Sequence, residues 1–180
     1  MERKKTKTGM MIQAGTVAAI YVVLSLLTYQ FSYLEIQCRV AEALCVVIFY
    51  TPAAAWGLVI GCFLTNVFGG SVIDMIFGTL ATLIAVLLTL PITKRIKAKC
   101  GGKLDIKHSL LIPIPTIFVN AIIIPFVLYF GYGITTMGSA TGRVSVLLLL
   151  AFSIFSGEVI SCYVFGPIII TVLNRIRKRA

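Results

Sequence analysis

The chain has 180 residues, 59% of them hydrophobic and 12% charged, with a mean hydropathy of +1.02. Soluble domains carry about 25% charged and about 45–50% apolar residues, so an ordinary soluble fold is excluded, and intrinsic disorder with it. The net charge is +10, from sixteen Lys and Arg against six Asp and Glu. In so apolar a chain this excess concerns membrane orientation rather than nucleic acid. The length allows one compact membrane domain spanning 1–180.

A membrane helix needs roughly 20 apolar residues. The first uncharged run, Thr8 to Leu34, follows Glu2, Arg3, Lys4, Lys5 and Lys7. A basic start before an apolar run also opens a signal peptide. No small-residue cleavage site follows here, and the rest is equally hydrophobic, so the run reads as a span. The second run, Ala43 to Ile73, has 31 residues. As one helix it would reach about 46 Å, too long for a bilayer core of about 30 Å. Thr51-Pro52 supplies a break, because proline disfavours a helical residue before it. Met75 to Thr93 reads as one span. Ser109 to Gly142 holds another, interrupted by Pro113, Pro115 and Pro125. Val144 to Asn174 holds the last and carries one acid, Glu158.

The expectation is an all-α integral membrane protein of six helices, at about 10–30, 39–50, 52–69, 74–93, 113–131 and 145–173. A basic loop is expected over 94–107. With six spans the N-terminus, that loop and the C-terminus share one face, which then carries fourteen of the sixteen basic residues. Only Arg39 and Arg143 fall on the other face. The positive-inside rule makes the basic face cytoplasmic, in a plasma-membrane protein with both termini inside. Phe68-Gly69-Gly70-Ser71 reads as a short outer turn, and Gly131 to Gly142 as a flexible outer loop.

The sequence lacks a G-x-x-x-x-G-K-[ST] phosphate loop, an H-E-x-x-H pair and a nucleophile elbow. No enzyme activity, metal site or cofactor is expected. The lone His108 at the end of the basic loop reads as solvated. Cys38, Cys45, Cys62, Cys100 and Cys162 show no C-x-x-C pairing, and four lie in or beside apolar runs as small hydrophobes.

Charges inside apolar runs cost about 2.5–3.5 kcal/mol each at a helix centre, so those present need a reason. Four acids map to the outer half or the interior: Glu35, Glu42, Asp74 and Glu158. If 35–42 is helical, Glu35–Arg39 and Arg39–Glu42 can pair, either as an interfacial cap or as the polar wall of a pocket. Asp74 at a helix start suits capping and ligand contact alike. Asn120 suits an interhelical hydrogen bond. Glu158 lies 14 residues into its run, and an intramembrane carboxylate marks a functional site by default. Ala14-x-x-x-Ala18, with Gly15-x-x-x-Ala19 beside it, and Gly57-x-x-x-Gly61 let helices approach closely.

The segments Gln37–Leu44, Thr51–Leu58, Gly61–Asn66, Gly69-Gly70 and Asp74–Ile84 resemble the QueT family, as do Gly157-Glu158 and Cys162-Tyr163. The resemblance is densest over 35–90 and weak over 94–112 and 131–143. It implies a substrate-binding S component of an energy-coupling factor (ECF) transporter. Such a subunit captures a queuosine precursor, a 7-deazaguanine, and docks on a membrane coupling protein driven by two ATPase subunits. Ala14 and Ala18 resemble the docking face of helix 1. The expected site is Glu158 for the amidine edge of the base, with Asn66, Gln37 or Asn120 for its carbonyl and ring nitrogens. Glu42 or Asp74 is expected to meet an aminomethyl group, with Arg39 orienting Glu42. Phe68, Tyr129 and Tyr33 are candidate stacking rings. An S component for another vitamin and a stand-alone secondary transporter are the alternatives.

Overall fold

In the computed structural model, residues 6–28, 39–69, 71–100, 104–138 and 140–179 are described. Gln37, with Tyr33, Glu35 and Cys38, lies outside them. The described residues are helical almost throughout. Helix α1 is Lys7–Leu27, and its first turn is capped by Thr6, whose hydroxyl accepts from the Gly9 N–H at 3.2 Å. A 3-10 helix spans Val40–Phe49, followed by α2, Ala54–Phe68, and α3, Val72–Cys100. A single turn, α4 (Ile106–Ser109), leads to α5, Ile114–Phe126, which continues as a π-helical turn over Val127–Gly131. The last rod is α6 (Arg143–Ile160), a second π turn (Ser161–Phe165) and α7 (Gly166–Arg179).

Four segments are long and apolar enough to cross a membrane: Lys7–Leu27, Val72–Cys100, Ile106–Gly131 and Arg143–Arg177. The uncharged stretch 43–73 is divided at Thr51-Pro52, between two shorter apolar helices. The 3-10 geometry, at about 2.0 Å per residue, stretches ten residues over about 20 Å, where an α-helix would cover about 15 Å. Runs of this length are uncommon in 3-10 form. This one is enclosed by α1, α2, α3 and α7, and eight of its ten residues are buried.

The tightest contact joins α1 to α2. A β-carbon on Gly57 would lie 2.6 Å from the Ala14 carbonyl oxygen, and one on Gly61 would lie 2.7 Å from Cβ of Tyr21. The two small-residue patterns therefore meet each other inside the bundle. Ala18 is buried there, while Ala14 is half-buried and Gly15 and Ala19 are exposed. Ala18 is thus a packing residue; the outward small face of α1 is Gly15 and Ala19, beside Ala14.

Helix α3 runs past the expected end at 93, so Lys94, Arg95, Lys97 and Lys99 are helical rather than part of a loop. Pro91 sits inside it without ending it. Lysines in a last turn face the negative end of the helix dipole, which favours the extension. The core has two centres. One surrounds the 3-10 helix, with Phe49, Leu58 and Ile112 fully buried. The other lies where α3, α5 and α6 meet, around Ala81, Ile124 and Val146. Large apolar side chains such as Trp56, Ile122 and Phe152 point outward, as on a surface that faces lipid rather than water.

Candidate functional site

A cavity of about 190 Å³ opens where α1 and α2 end, α3 begins and the chain leaves α5. Its wall includes Tyr21, Arg39, Cys62, Asn66, Asp74 and Tyr132. An apolar cavity of about 150 Å³ holds benzene, so this volume suits one small planar ring system.

Each wall residue is fixed by its element. Ser71 caps α3, its hydroxyl accepting from the Asp74 N–H at 3.1 Å. Asp74 thereby sits in the first turn of α3, where the helix dipole favours a carboxylate. The Tyr132 hydroxyl donates to Asp74 Oδ2 at 2.6 Å and also contacts the Ser71 hydroxyl. Burial, and then this bond to Asp74, push the Tyr132 hydroxyl above its ordinary range, so it stays a donor. Asn66 donates to the Asp74 carbonyl at 2.8 Å, tying α2 to α3. Gly78 leaves room for that amide, since a β-carbon there would lie 3.1 Å from Asn66 Nδ2.

Behind the wall is a second polar set. Tyr21 donates to Glu42 Oε1 at 2.6 Å. Asn120 donates to Glu158 Oε1 at 2.7 Å, joining α5 to α6. Glu42, Asn120 and Glu158 are each 2% exposed or less. Glu158 Oε2 has no hydrogen-bond partner among the described residues. Leaving a buried acceptor unmet costs about 1–3 kcal/mol. Arg39 connects the layers: it lines the cavity, and its carbonyl accepts from the Ser161 hydroxyl at 2.7 Å. Asp74, Glu42 and Glu158 all lie within electrostatic reach of its guanidinium.

Arg39, Asn66 and Asp74 are thus on the wall, with Glu42, Asn120 and Glu158 one layer in; Gln37 is outside the described residues. The expected Arg39–Glu42 ion pair is not formed, and the one salt bridge among the described residues is His108–Asp105. The cause is local. Arg39 is the N-cap, with φ −94° and ψ 86°, so the helical spacing that the pairing assumed does not hold at this residue. Of the expected stacking rings, Tyr33 lies outside the described residues, and Phe68 and Tyr129 do not line the cavity. Phe68 is 67% exposed, and Tyr129 packs edge-on against Phe130. The rings at the cavity are Tyr21 and Tyr132. Two signals could have found them: a hydroxyl-bearing ring inside the apolar run of α1, and a tyrosine between two glycines, Gly131 and Gly133.

Residues 11–175 match the QueT transporter family. The chain belongs to this family. A curated relative, the queuosine precursor transporter QueT of Lactococcus lactis subsp. cremoris (strain MG1363), is 33% identical over 96 residues. That similarity covers 52% of the chain and spans only 57% of the relative's length. No solved structure matches. The family match covers both layers of the site and both small-residue helices, so wall, floor and scaffold all lie within family territory.

Proposed function

We propose that this protein is the substrate-capture subunit of an importer for a queuosine precursor, binding a 7-deazaguanine in the cavity at the Arg39–Asp74 end. The observation that carries the reading is the buried, unpartnered Oε2 of Glu158, within electrostatic reach of Arg39 on the wall of a planar-ring-sized cavity. A deazaguanine presents two parallel N–H donors on one edge, and a carboxylate accepts such a pair. Glu158 has one oxygen on Asn120 and one without a partner among the described residues. Asn66 suits the base carbonyl, and Tyr21 and Tyr132 suit its faces. Three carboxyls share one guanidinium, so the set favours a ligand that brings positive charge, such as an aminomethyl group met by Asp74 or Glu42.

The membrane reading has six spans with both termini cytoplasmic, the two shorter apolar helices of 40–68 counting as spans beside the four long segments. The cavity end then faces outward, and the basic end faces the anionic inner leaflet. The sequence has no phosphate loop, which supports separate ATPase subunits acting through an ECF coupling protein. The face of α1 around Ala14, Gly15 and Ala19 is the proposed docking face. The test is a binding titration of the purified protein with 7-deazaguanines, guanine and an unrelated vitamin. Saturable binding of a deazaguanine, weaker for guanine, is expected. Equal binding of guanine, or preference for the vitamin, would reject the assignment. Transport in vesicles without ATPase subunits would reject the capture-subunit role.

A further inference from the structure

The end opposite the cavity carries a second constellation, built from residues that the transport reading leaves unused. Cys100 is the last residue of α3, Asp105 caps α4, and His108 lies on α4. The end of α3 and the α4 turn bring a thiol, a carboxylate and an imidazole together. Their ligand atoms all lie within 4.8 Å of one another, and among the described residues this is the one such cluster of three donors. His108 Nδ1 and Asp105 Oδ2 are 3.0 Å apart. Asp105 and His108 are three residues apart, which sets both on one side of the α4 turn. Far from being freely solvated, His108 is half-buried and engaged with Asp105.

We infer that Cys100, Asp105 and His108 form a binding site for a divalent transition ion of the zinc class. Three observations carry it. The donor set is S, N and O, which suits a borderline-soft ion and not Mg²⁺ or Ca²⁺. Around a tetrahedral zinc the donor atoms stand roughly 3.3–3.6 Å apart, given bond lengths of about 2.0–2.3 Å. The His108–Asp105 pair is already closer than that, and the Cys100 sulfur lies within 4.8 Å of both. The ion takes the place of the proton shared by His108 and Asp105, and the thiol gives its proton to solvent on binding. Thiolate and carboxylate together balance the charge of the ion amid a lysine-rich surface. Three protein ligands leave a fourth position for water or for a partner's side chain. The bound ion clips the end of α3 to α4 across the connection at 101–104, which would stiffen the basic face.

The experiment is a Co²⁺ titration of the tag-free, chelator-treated protein in detergent, followed by absorption and by unfolding temperature with and without Zn²⁺. The expected result is one equivalent of Co²⁺ with a thiolate-to-metal charge-transfer band, displaced by Zn²⁺. C100S should abolish the band, and H108A should weaken binding about tenfold or more. Zn²⁺ should raise the unfolding temperature of the native protein and not of C100S. The metal-free unfolding temperatures of both variants show that they fold. Absence of stoichiometric binding, a spectrum without the thiolate band, or a band that survives C100S would each overturn the site.

Discussion

The two ends of the bundle handle charge in opposite ways. At the cavity end, one arginine and three carboxyls are drawn into or against the interior, the carboxyls tied to Tyr21, Asn120 and Tyr132. At the other end Lys94, Arg95, Lys99, Lys107 and Arg175 stand exposed. Removing an ion from water costs several kcal/mol even after relaxation, unless partners replace the water. Exposed lysines incur no such cost and little strength comes from them. On the proposed function, the costly end is therefore where a ligand would have something to recover.

The harshest way to break this contrast is to part the helices on which both ends depend. Gly57→Ala puts a β-carbon 2.6 Å from a backbone oxygen of α1. Overpacking of this kind costs about 1–3 kcal/mol. Thermal unfolding in detergent should fall by several degrees; an unchanged midpoint would mean the α1–α2 contact is slack. Next comes the buried carboxyl proposed for the ligand. Glu158→Gln should weaken deazaguanine binding about 10- to 100-fold, matching a charged hydrogen bond of about 1.5–3 kcal/mol. Its unfolding midpoint should not drop, because an amide is cheaper to bury than a carboxylate. Calorimetry with unchanged affinity would remove Glu158 from the site.

A milder probe is Tyr132→Phe, which deletes one bond to Asp74 and keeps the ring. About 1 kcal/mol, or about fivefold in ligand affinity, is expected. A hundredfold loss would make Tyr132 a principal contact instead of a support. The smallest effect belongs to the basic end. Lys94→Gln with Arg95→Gln should leave affinity within about twofold and stability within about 0.5 kcal/mol. It should reduce the preference for vesicles rich in anionic lipid. A large loss of ligand affinity there would mean that the two ends are coupled.

Much of this was legible in the sequence because membranes impose one-dimensional rules. Uncharged run lengths separated the helices, and Thr51-Pro52 located the break within 43–73. The rarity of buried acids pointed to Glu158, Glu42 and Asp74. The partners of those acids were less accessible. Tyr21 and Glu42 are 21 residues apart, Asp74 and Tyr132 are 58 apart, and Asn120 and Glu158 are 38 apart. No local periodicity encodes such pairs. The Arg39–Glu42 pair failed for the opposite reason: spacing alone assumed helical geometry at a residue that is a cap.

Hydropathy and the scarcity of charge, by themselves, marked a membrane protein, and the excess of basic residues carried the expectation of one strongly basic side. Hydropathy and charge are summed along the chain, and the bilayer reads them that way. The sequence likewise nominated an acidic remainder for the ligand. Only the tertiary structure decided which nominees share a cavity and that Ala18 packs against α2. It alone left one oxygen of Glu158 unmet and brought Cys100, Asp105 and His108 together. Those outcomes depend on where helices cross and how each side chain is turned, and packing fixes both.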